Sequence, residues 1–335
     1  MKKESQNIKG VMPLEEAYAK LRTIQNFLYE KSGGTAYVNS FEPANKPRKT
    51  QLEDEIIVQT DVKYGEKYPN SYVDVYYKET QEKRPVFFYI HGGGFFMGHK
   101  CSGDPLGMGQ GDMLPYFKKI IASGYNLVSI DYALSPDYQI PVQLIQVNDA
   151  IRFVLEQREA WNIDADRIVI GGGSAGADFS ELYGWMLEDP DYAVEFGVKC
   201  AVTKEQVKGL ILDEPALNIT EFNSVDMYAM FEGWTGEDDI LNGRYVKLLD
   251  VPKHIHGSYI PSFLVASNKE GEPFFYDHCA ELAKLLDNIG VPYDFVYPGE
   301  EEGRYPHGYL MEFEHNEVAA AHLERELQFL KKCIE

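Results

Sequence analysis

Short apolar runs recur along the chain, and most are followed by a longer amphipathic stretch. Nearly continuous runs of this kind are typical of strands that are buried on both faces of a parallel sheet. They occupy residues 86–90, 127–130, 168–170, 210–212, 263–266 and 293–297. An earlier pair, 56–58 and 72–77, is separated by a turn at Pro69-Asn70, which predicts two antiparallel strands at the start of the sheet.

Amphipathic segments with helical spacing of their apolar residues separate most of these strands. They lie at 114–122, 142–161, 175–187, 277–289 and 316–334. Strands that alternate with helices favour a doubly wound arrangement, in which helices cover both faces of the sheet. The pattern therefore predicts an α/β fold.

Two regions depart from this alternation. Residues 1–52 contain one amphipathic helix, which Pro13 opens and which ends near Gly33-Gly34, followed by a polar loop. A long insertion rich in aromatic and acidic residues separates two core strands near 214–258, and long insertions in compact domains usually have a function. We therefore predict an α/β domain over 53–335, with a cap formed by that insertion and the N-terminal segment.

Composition and charge narrow the class of protein. The chain has 335 residues, 44% of them hydrophobic and 25% charged, which suits a soluble domain with a full core. Its formal net charge of −21 repels nucleic acid and anionic membranes. No stretch approaches the roughly 18 consecutive apolar residues of a membrane span. We expect neither a nucleic-acid partner nor a membrane span, and the sequence leaves the oligomeric state open, a homodimer included.

The cysteines and the N-terminus bear on the cellular compartment. The four cysteines are irregularly spaced, which favours reduced thiols over a disulfide framework or a zinc site. No apolar run follows the basic residues near Met1, as a secretory signal would require. These features predict a cytoplasmic protein.

The strongest chemical signal is the G-x-S-x-G motif centred on Ser174. It stands between the predicted strand ending at Ile170 and the predicted helix beginning at Ala175, which is the context that a nucleophilic serine on a sharp strand-to-helix turn requires. Flanking glycines permit the turn. The N–H of Ala175 then lies at a helix N-terminus, where the dipole favours negative charge.

The same segment also reads as a G-x-G-x-x-G dinucleotide fingerprint through Gly171, Gly173 and Gly176. Two features weaken this alternative. The segment lies mid-chain instead of in a first βαβ unit, and the acidic run at 188–191 follows a helix, whereas the fingerprint places its acid at the end of a second strand. We expect no nucleotide and no metal cofactor.

A second motif, His91-Gly92-Gly93-Gly94-Phe95, follows the predicted strand 86–90. Acyl transfer develops negative charge on a carbonyl oxygen, which needs fixed N–H donors. Consecutive glycines let backbone donors approach without obstruction by a Cβ atom. The sequence predicts an oxyanion hole made by the N–H groups of Gly93, Gly94 and Ala175, with His91 bracing the loop instead of acting in catalysis.

The base and the acid are expected towards the C-terminus, in the chain order serine, acid, histidine. His307 lies in a loop between the last predicted strand and the last helix, which makes it the candidate base. Later or neighbouring histidines are interpreted as surface residues, namely His278, His315 and His322. His254 and His256 lack the further ligands of a metal site.

The acid should follow the strand 263–266, where the loop contains two glutamates. Glu272 is favoured because Glu272-Pro273 stands where an Asp-Pro pair is common, and Glu270 is the alternative. Asp277 is interpreted as the N-terminal cap of the next helix.

With these motifs the chain resembles the hormone-sensitive-lipase-like branch of the α/β-hydrolase esterases, from about Tyr72 to the end. The resemblance rests on HGGGF at 91–95, DYALSP at 131–136, Pro141, Asp149, GGSAG at 172–176 and His307-Gly308. It implies the α/β-hydrolase fold, a mostly parallel eight-stranded sheet with helices on both faces and a cap over an acyl pocket. Members of that branch often have an acidic residue where this chain has Gly173.

The resemblance implies cofactor-free hydrolysis of carboxylic esters, here with small or medium acyl chains, through an acyl-enzyme on Ser174. An amidase, an arylformamidase or a peptidase could use the same triad, because the pocket sets the leaving-group preference. A catalytically silent ligand receptor is a further alternative, but receptors with this fold have lost the base, and His307 is present.

Overall fold

The computed structural model describes residues 12–31, 39–43, 46–100, 113–268 and 273–335. The described strands form one nine-stranded sheet in the order β1-β2-β3-β5-β4-β6-β7-β8-β9. The strands are β1 Arg48–Gln51, β2 Ile57–Lys63, β3 Tyr72–Tyr77, β4 Arg84–Ile90, β5 Asn126–Ile130, β6 Ile163–Gly173, β7 Val207–Asp213, β8 Ser262–Val265 and β9 Tyr293–Val296.

The sheet is antiparallel at its start and parallel beyond. β1, β2, β3 and β5 pair antiparallel in that order, and β5 pairs parallel with β4. All pairs from β4 to β9 are parallel as well. The mostly parallel sheet and the antiparallel pair at its start are as predicted.

The edge strand β1 was not predicted, so the sheet has one strand more than the eight expected. All residues of β1 are exposed, so no alternation of apolar and polar residues marks it in the sequence. It is held by backbone pairing with β2, from Arg48 opposite Thr60 to Gln51 opposite Ile57. Such an edge strand depends on its neighbour's hydrogen-bonding groups instead of a hydrophobic face.

Helices cover both faces of the sheet. They are α1 Leu14–Lys31, α2 Leu114–Ala122, α3 Val142–Glu156, α4 Ala175–Glu188, α5 Pro190–Glu195, α6 Val225–Thr235, α7 Tyr245–Leu248, α8 Pro273–Ile289 and α9 Glu317–Lys332. One core cluster joins β4 to α3, α4 and α8, and a second joins it to α2 and α9. Successive residues of β4 alternate between the two clusters, as the pleat requires.

Helix α8 begins at Pro273, earlier than predicted. Asp277 is therefore an exposed residue inside the helix, and its interpretation as the N-terminal cap is wrong. Among the residues that the structure describes, no helix is both long and apolar enough to cross a membrane.

The N-terminal helix α1 packs against α6 of the insertion. Leu21 of α1 lies so close to Gly233 that a Cβ atom there would be 2.2 Å from the Leu21 Cδ1 atom. The N–H of Leu14 donates to Asp238 Oδ1 at 2.7 Å, and Gln25 Nε2 donates to the carbonyl of Ser135 at 3.0 Å. The two regions that depart from the strand–helix alternation thus contact each other and the core.

A buried carboxyl group lies on α9, beneath the sheet. Glu326 is fully buried, and its Oε1 atom accepts a hydrogen bond from the Tyr116 hydroxyl at 2.6 Å. Its Oε2 atom has no hydrogen-bond partner within the described parts of the chain. Burial raises the pKa of Glu326 from 4.5 to about 7.

We expect Glu326→Gln to stabilise the fold at pH 8 but not below about pH 4.5. A carboxyl group whose pKa is raised by folding is protonated in both states at low pH, and disfavours the native state increasingly as the pH rises through 4.5 to about 7. The gain in unfolding free energy at pH 8 should be on the order of 3 kcal/mol. Urea denaturation at pH 4.5 and pH 8 measures it. The exposed Glu324→Gln on the same helix is the control, and an equal gain at both pH values would contradict the prediction.

Candidate active site

Ser174 stands on a sharp turn between β6 and α4. Its backbone has φ 53° and ψ −124°, a conformation that non-glycine residues rarely adopt. A Cβ atom on Gly172 would lie 2.1 Å from the carbonyl oxygen of Ile90, and one on Gly176 would lie 1.9 Å from the same oxygen. Both glycines are therefore required by the close approach of β4. The N–H of Ser174 donates to the carbonyl of Asp213 at 2.7 Å, which anchors the turn to β7.

The glycine-rich loop after β4 supplies free backbone donors beside Ser174. Gly93 and Gly94 have φ values of 105° and 57°. A Cβ atom on Gly93 would collide with the carbonyl oxygen of Met97 at 2.2 Å. Within the described residues, the N–H groups of Gly93, Gly94 and Ala175 donate no hydrogen bond. Unpaired donors of this kind, one of them at the start of α4, can bind a negatively charged oxygen.

His91 braces this loop, as the sequence predicts. Its Nδ1 atom lies 2.7 Å from the carbonyl oxygen of Gly92, and its Nε2 atom lies 3.2 Å from Asp131 Oδ1. The imidazole also stacks on the ring of Tyr132, with 4.1 Å between the ring centroids.

His307 meets a buried glutamate that is not among the acids predicted from the sequence. Its Nδ1 atom lies 2.7 Å from Oε2 of Glu214, which is the first residue after β7 and is 1% exposed. The N–H of Gly308 donates to the same Oε2 atom, and the N–H of Ser267 donates to Oε1 at 2.7 Å. The ring of His307 stacks on Phe275 at a centroid distance of 4.3 Å. The imidazole is thus held at its edge and on its face.

The electrostatics favour an ionised Glu214. Burial alone would raise the pKa of this carboxyl group, but the charge and hydrogen bond of His307, together with the N–H donor of Gly308, lower it below its usual value. An ionised, hydrogen-bonded carboxylate on Nδ1 fixes the tautomer of an imidazole and stabilises its protonated form.

Asp178 of α4 holds the segment that follows Glu214. Its Oδ1 atom accepts a hydrogen bond from the N–H of Ala216 at 2.7 Å. Burial raises the pKa of Asp178 to about 7. The helix that begins after Ser174 therefore also positions the backbone next to Glu214.

The two glutamates predicted as the acid, Glu272 and Glu270, lie outside the described residues. A signal for Glu214 was present in the sequence, because the buried apolar run of β7 ends in two consecutive carboxylates, Asp213-Glu214. Charged groups at the end of a buried strand need a partner or a function.

The three histidines that were interpreted as surface residues differ in their burial. His278 is fully buried, with its Nε2 atom 2.8 Å from Oε2 of the buried Glu181, so its interpretation as a surface residue is wrong. His322 is partly buried and lies 2.8 Å from the Tyr309 hydroxyl, whereas His315 is exposed. In the part of the chain that the structure describes, no group of three or more His, Cys, Asp or Glu residues could hold a metal ion.

Ser174 and His307 line one cavity of about 290 Å³. Its wall is mainly apolar and contains five methionines, two of them from α6. The lining residues other than the glycines are Tyr89, Met97, Met113, Ser174, Asp213, Glu214, Met227, Met230, Phe274, Phe275, His307 and Met311. The cavity is thus bordered by the turn that carries Ser174, the glycine-rich loop, His307 and the insertion.

Comparison with known proteins identifies relatives. The family model BD-FAE matches residues 73–271, which is more than half of the chain. Arylacetamide deacetylase of Oryctolagus cuniculus is 32% identical over 149 residues, which cover 42% of this chain and 34% of that protein. Esterase LipQ of Mycobacterium tuberculosis is 24% identical over 221 residues, covering 63% of this chain and 48% of that protein. The match thus spans less than half the length of either relative.

Solved structures of esterases have the same fold. Esterase B from Lactobacillus rhamnosis superposes with a TM-score of 0.69 at 20% identity, covering 95% of this chain and 96% of that one. Bacterial heroin esterase superposes with a TM-score of 0.61 at 17% identity, covering 97% of this chain and 94% of that one. At these identities the likeness shows the fold alone.

Proposed function

The chain belongs to the BD-FAE family and has the α/β-hydrolase fold, and on this basis we propose that it is a serine hydrolase that cleaves carboxylic esters. The observation that carries the proposal is the cavity shared by Ser174 on its strained turn and His307 with its buried carboxylate. The name Esterase LipQ supports ester hydrolysis, and the name arylacetamide deacetylase denotes the cleavage of an amide, in agreement with the amidase alternative.

The reaction proceeds through an acyl-enzyme. His307 removes the proton from the Ser174 hydroxyl group, and the Ser174 Oγ atom attacks the ester carbonyl. The N–H groups of Gly93, Gly94 and Ala175 stabilise the oxyanion that forms. His307 then protonates the departing alcohol, and a water molecule, activated by the same imidazole, releases the acid.

We assign the acid of the triad to Glu214 instead of Glu272 or Glu270. The position of Glu214 supports this assignment, because its Oε2 atom lies 2.7 Å from Nδ1 of His307 and both carboxylate oxygens accept backbone hydrogen bonds. A carboxylate held this way costs little reorganisation when the imidazole becomes charged.

The cavity favours small or medium acyl chains. Its volume of about 290 Å³ is at the lower end for ligand pockets, and its wall is mainly apolar. Helix α6 closes one side, since a Cβ atom on Gly94 would lie 2.3 Å from the Met230 Sδ atom. We propose that α6 and α1 together are the cap. Methionine side chains adapt their shape readily, which suits acyl groups of varied form.

We also propose a cytoplasmic location. Cys200, Cys279 and Cys333 are free thiols, which a reducing compartment maintains.

A fluorophosphonate probe tests whether the chain is a serine hydrolase. We expect one probe per molecule, attached to Ser174, because the turn between β6 and α4 exposes the Ser174 hydroxyl group to the cavity that His307 also lines. Peptide mass spectrometry locates the label. The absence of labelling would support the silent receptor, and a label on another serine would refute the assignment.

A panel of p-nitrophenyl esters and matched anilides, from acetyl to octanoyl, tests the substrate class. We expect turnover of the esters with the shorter chains, because the cavity is small. Faster turnover of the anilides than of the esters would instead favour the amidase alternative.

A further inference from the structure

Asp213 is a buried carboxyl group for which the mechanism above has no use. It is the last residue of β7, it lines the cavity with Ser174, and it is only 8% exposed. Its Oδ1 atom is buried without a hydrogen-bond partner, and no described group bonds its Oδ2 atom either. An unsatisfied buried polar group destabilises the folded protein, so its presence calls for an explanation.

In the sheet, strand β6 lies between Tyr89 of β4 and Asp213 of β7. On the cavity side it leaves a strip of surface without side chains. Tyr89 of β4 pairs with Gly171 of β6, and Gly173 of β6 pairs with Asp213 of β7. Paired residues, and residues two apart on one strand, share a face of the sheet. Tyr89 and Asp213 therefore lie on one face, and the strand between them presents only glycines there.

Crowding explains only one of these two glycines. A Cβ atom on Gly171 would lie 2.6 Å from the Ile211 Cβ atom, so that position has no room for a side chain. A Cβ atom on Gly173 would have Asp213 Oδ2 as its nearest neighbour at 3.6 Å, an ordinary contact. Space next to the Asp213 carboxyl group is thus left free beside the nucleophile.

The chemistry of this strip suits a neutral hydroxyl group. Burial, and then the nearby Glu214 and Glu326, raise the pKa of Asp213 well above its usual value and so favour its protonated form. A protonated carboxyl group both donates and accepts hydrogen bonds. The Tyr89 hydroxyl also lacks a hydrogen-bond partner among the described residues. An anion would be repelled by the neighbouring carboxylate of Glu214.

We propose that Asp213 and Tyr89 form a hydroxyl-binding subsite, so that the preferred esters carry an alcohol hydroxyl group close to the scissile bond. The inference rests on the proposed ester hydrolysis and adds a specificity determinant to it. The hydroxyl group could belong to the acyl chain or to the alcohol moiety of the ester.

Two pairs of esters test the subsite. p-Nitrophenyl 3-hydroxybutyrate is compared with p-nitrophenyl butyrate, and glycerol monobutyrate with propyl butyrate, so that each pair places the hydroxyl group on one side of the bond. We expect a higher kcat/KM for the hydroxylated member of one pair, and we call the quotient of the two kcat/KM values the hydroxyl preference ratio. Asp213→Leu should lower this ratio about tenfold to a hundredfold, because leucine has a similar shape and no hydrogen-bonding group.

Three further variants make the result specific. Asp213→Asn should keep most of the ratio, since an amide also donates and accepts, and Tyr89→Phe should lower it. Met227→Leu alters the apolar wall on α6, and it should change kcat/KM by the same factor for both esters of a pair. Thermal melting should show Asp213→Leu to be no less stable than the wild type, because it removes an unpartnered carboxyl group. If it does not fold, Tyr89→Phe provides the same measurement.

Two outcomes would overturn the subsite. One is a wild-type enzyme that shows no preference in either pair. The other is an equal fall in kcat/KM for both esters of the pair in Asp213→Leu, which would mean that Asp213 acts through His307 instead of on the substrate. Failure of the wild type to hydrolyse any of the four esters would instead refute the proposed function itself.

Discussion

Replacing Ser174 with alanine should lower kcat for ester hydrolysis by about 10⁴ to 10⁶. The substitution removes the nucleophile but leaves the turn intact, because Gly172 and Gly176, which make room for the carbonyl of Ile90, are unchanged. The rate that remains would come from binding and from the backbone donors of the oxyanion hole.

Steady-state kinetics on a p-nitrophenyl ester measures the loss, and circular dichroism confirms the fold. Ser180→Ala on the same helix is a matched control, since the Ser180 hydroxyl group only donates to the carbonyl of Gly176 at 2.7 Å. Turnover within tenfold of wild type in Ser174→Ala would exclude Ser174 as the nucleophile.

Glu214→Gln should lower kcat by roughly 10² to 10⁴. The amide keeps the shape of the side chain, but its single oxygen can accept from the N–H of Ser267 or from that of Gly308 and not from both. It loses the negative charge that stabilises the imidazolium of His307, and its NH₂ group can hold the ring in the wrong tautomer. Binding of the ester in the ground state should change little, so the loss should appear in kcat more than in KM.

The two glutamates predicted from the sequence provide the comparison. Glu272→Gln and Glu270→Gln, assayed with Glu214→Gln at equal thermal stability, distinguish the three carboxylates. A large loss in Glu272→Gln with near-normal kcat in Glu214→Gln would reverse the assignment made here and restore the one based on the Glu-Pro pair.

The parts of the site that could be predicted from sequence are those that local sterics or chain order determine. Gly172 and Gly176 are required by contacts within 2.1 Å of a single carbonyl group, so the motif around Ser174 marks one particular turn. His307 could be located because the fold orders its catalytic residues along the chain. The parallel strands could be identified because burial on both faces makes them continuously apolar.

Glu214 could not be identified in the same way, because its proximity to His307 depends on tertiary structure. The two residues are far apart in sequence and meet only when the loop at Gly308 folds back over the end of β7. The Glu272-Pro273 pair instead predicts the acid in the loop after the next strand, and the change in composition predicts that the insertion begins near Glu214. Likewise the sequence does not show that His278 is buried, because the Glu181 side chain that bonds its Nε2 atom comes from another helix.

The placement of Ser174 and Glu214 on neighbouring strands has a practical consequence for engineering. Each is the first residue beyond a pair in register, Gly173 opposite Asp213, and the N–H of Glu214 donates to the carbonyl of Val265 on the third strand. The spacing of nucleophile and acid is therefore set by the backbone ladder and not by any loop. The side chains of α6 that line the cavity, Met227 and Met230, can accordingly be varied in libraries that change substrate choice while the reacting groups keep their spacing.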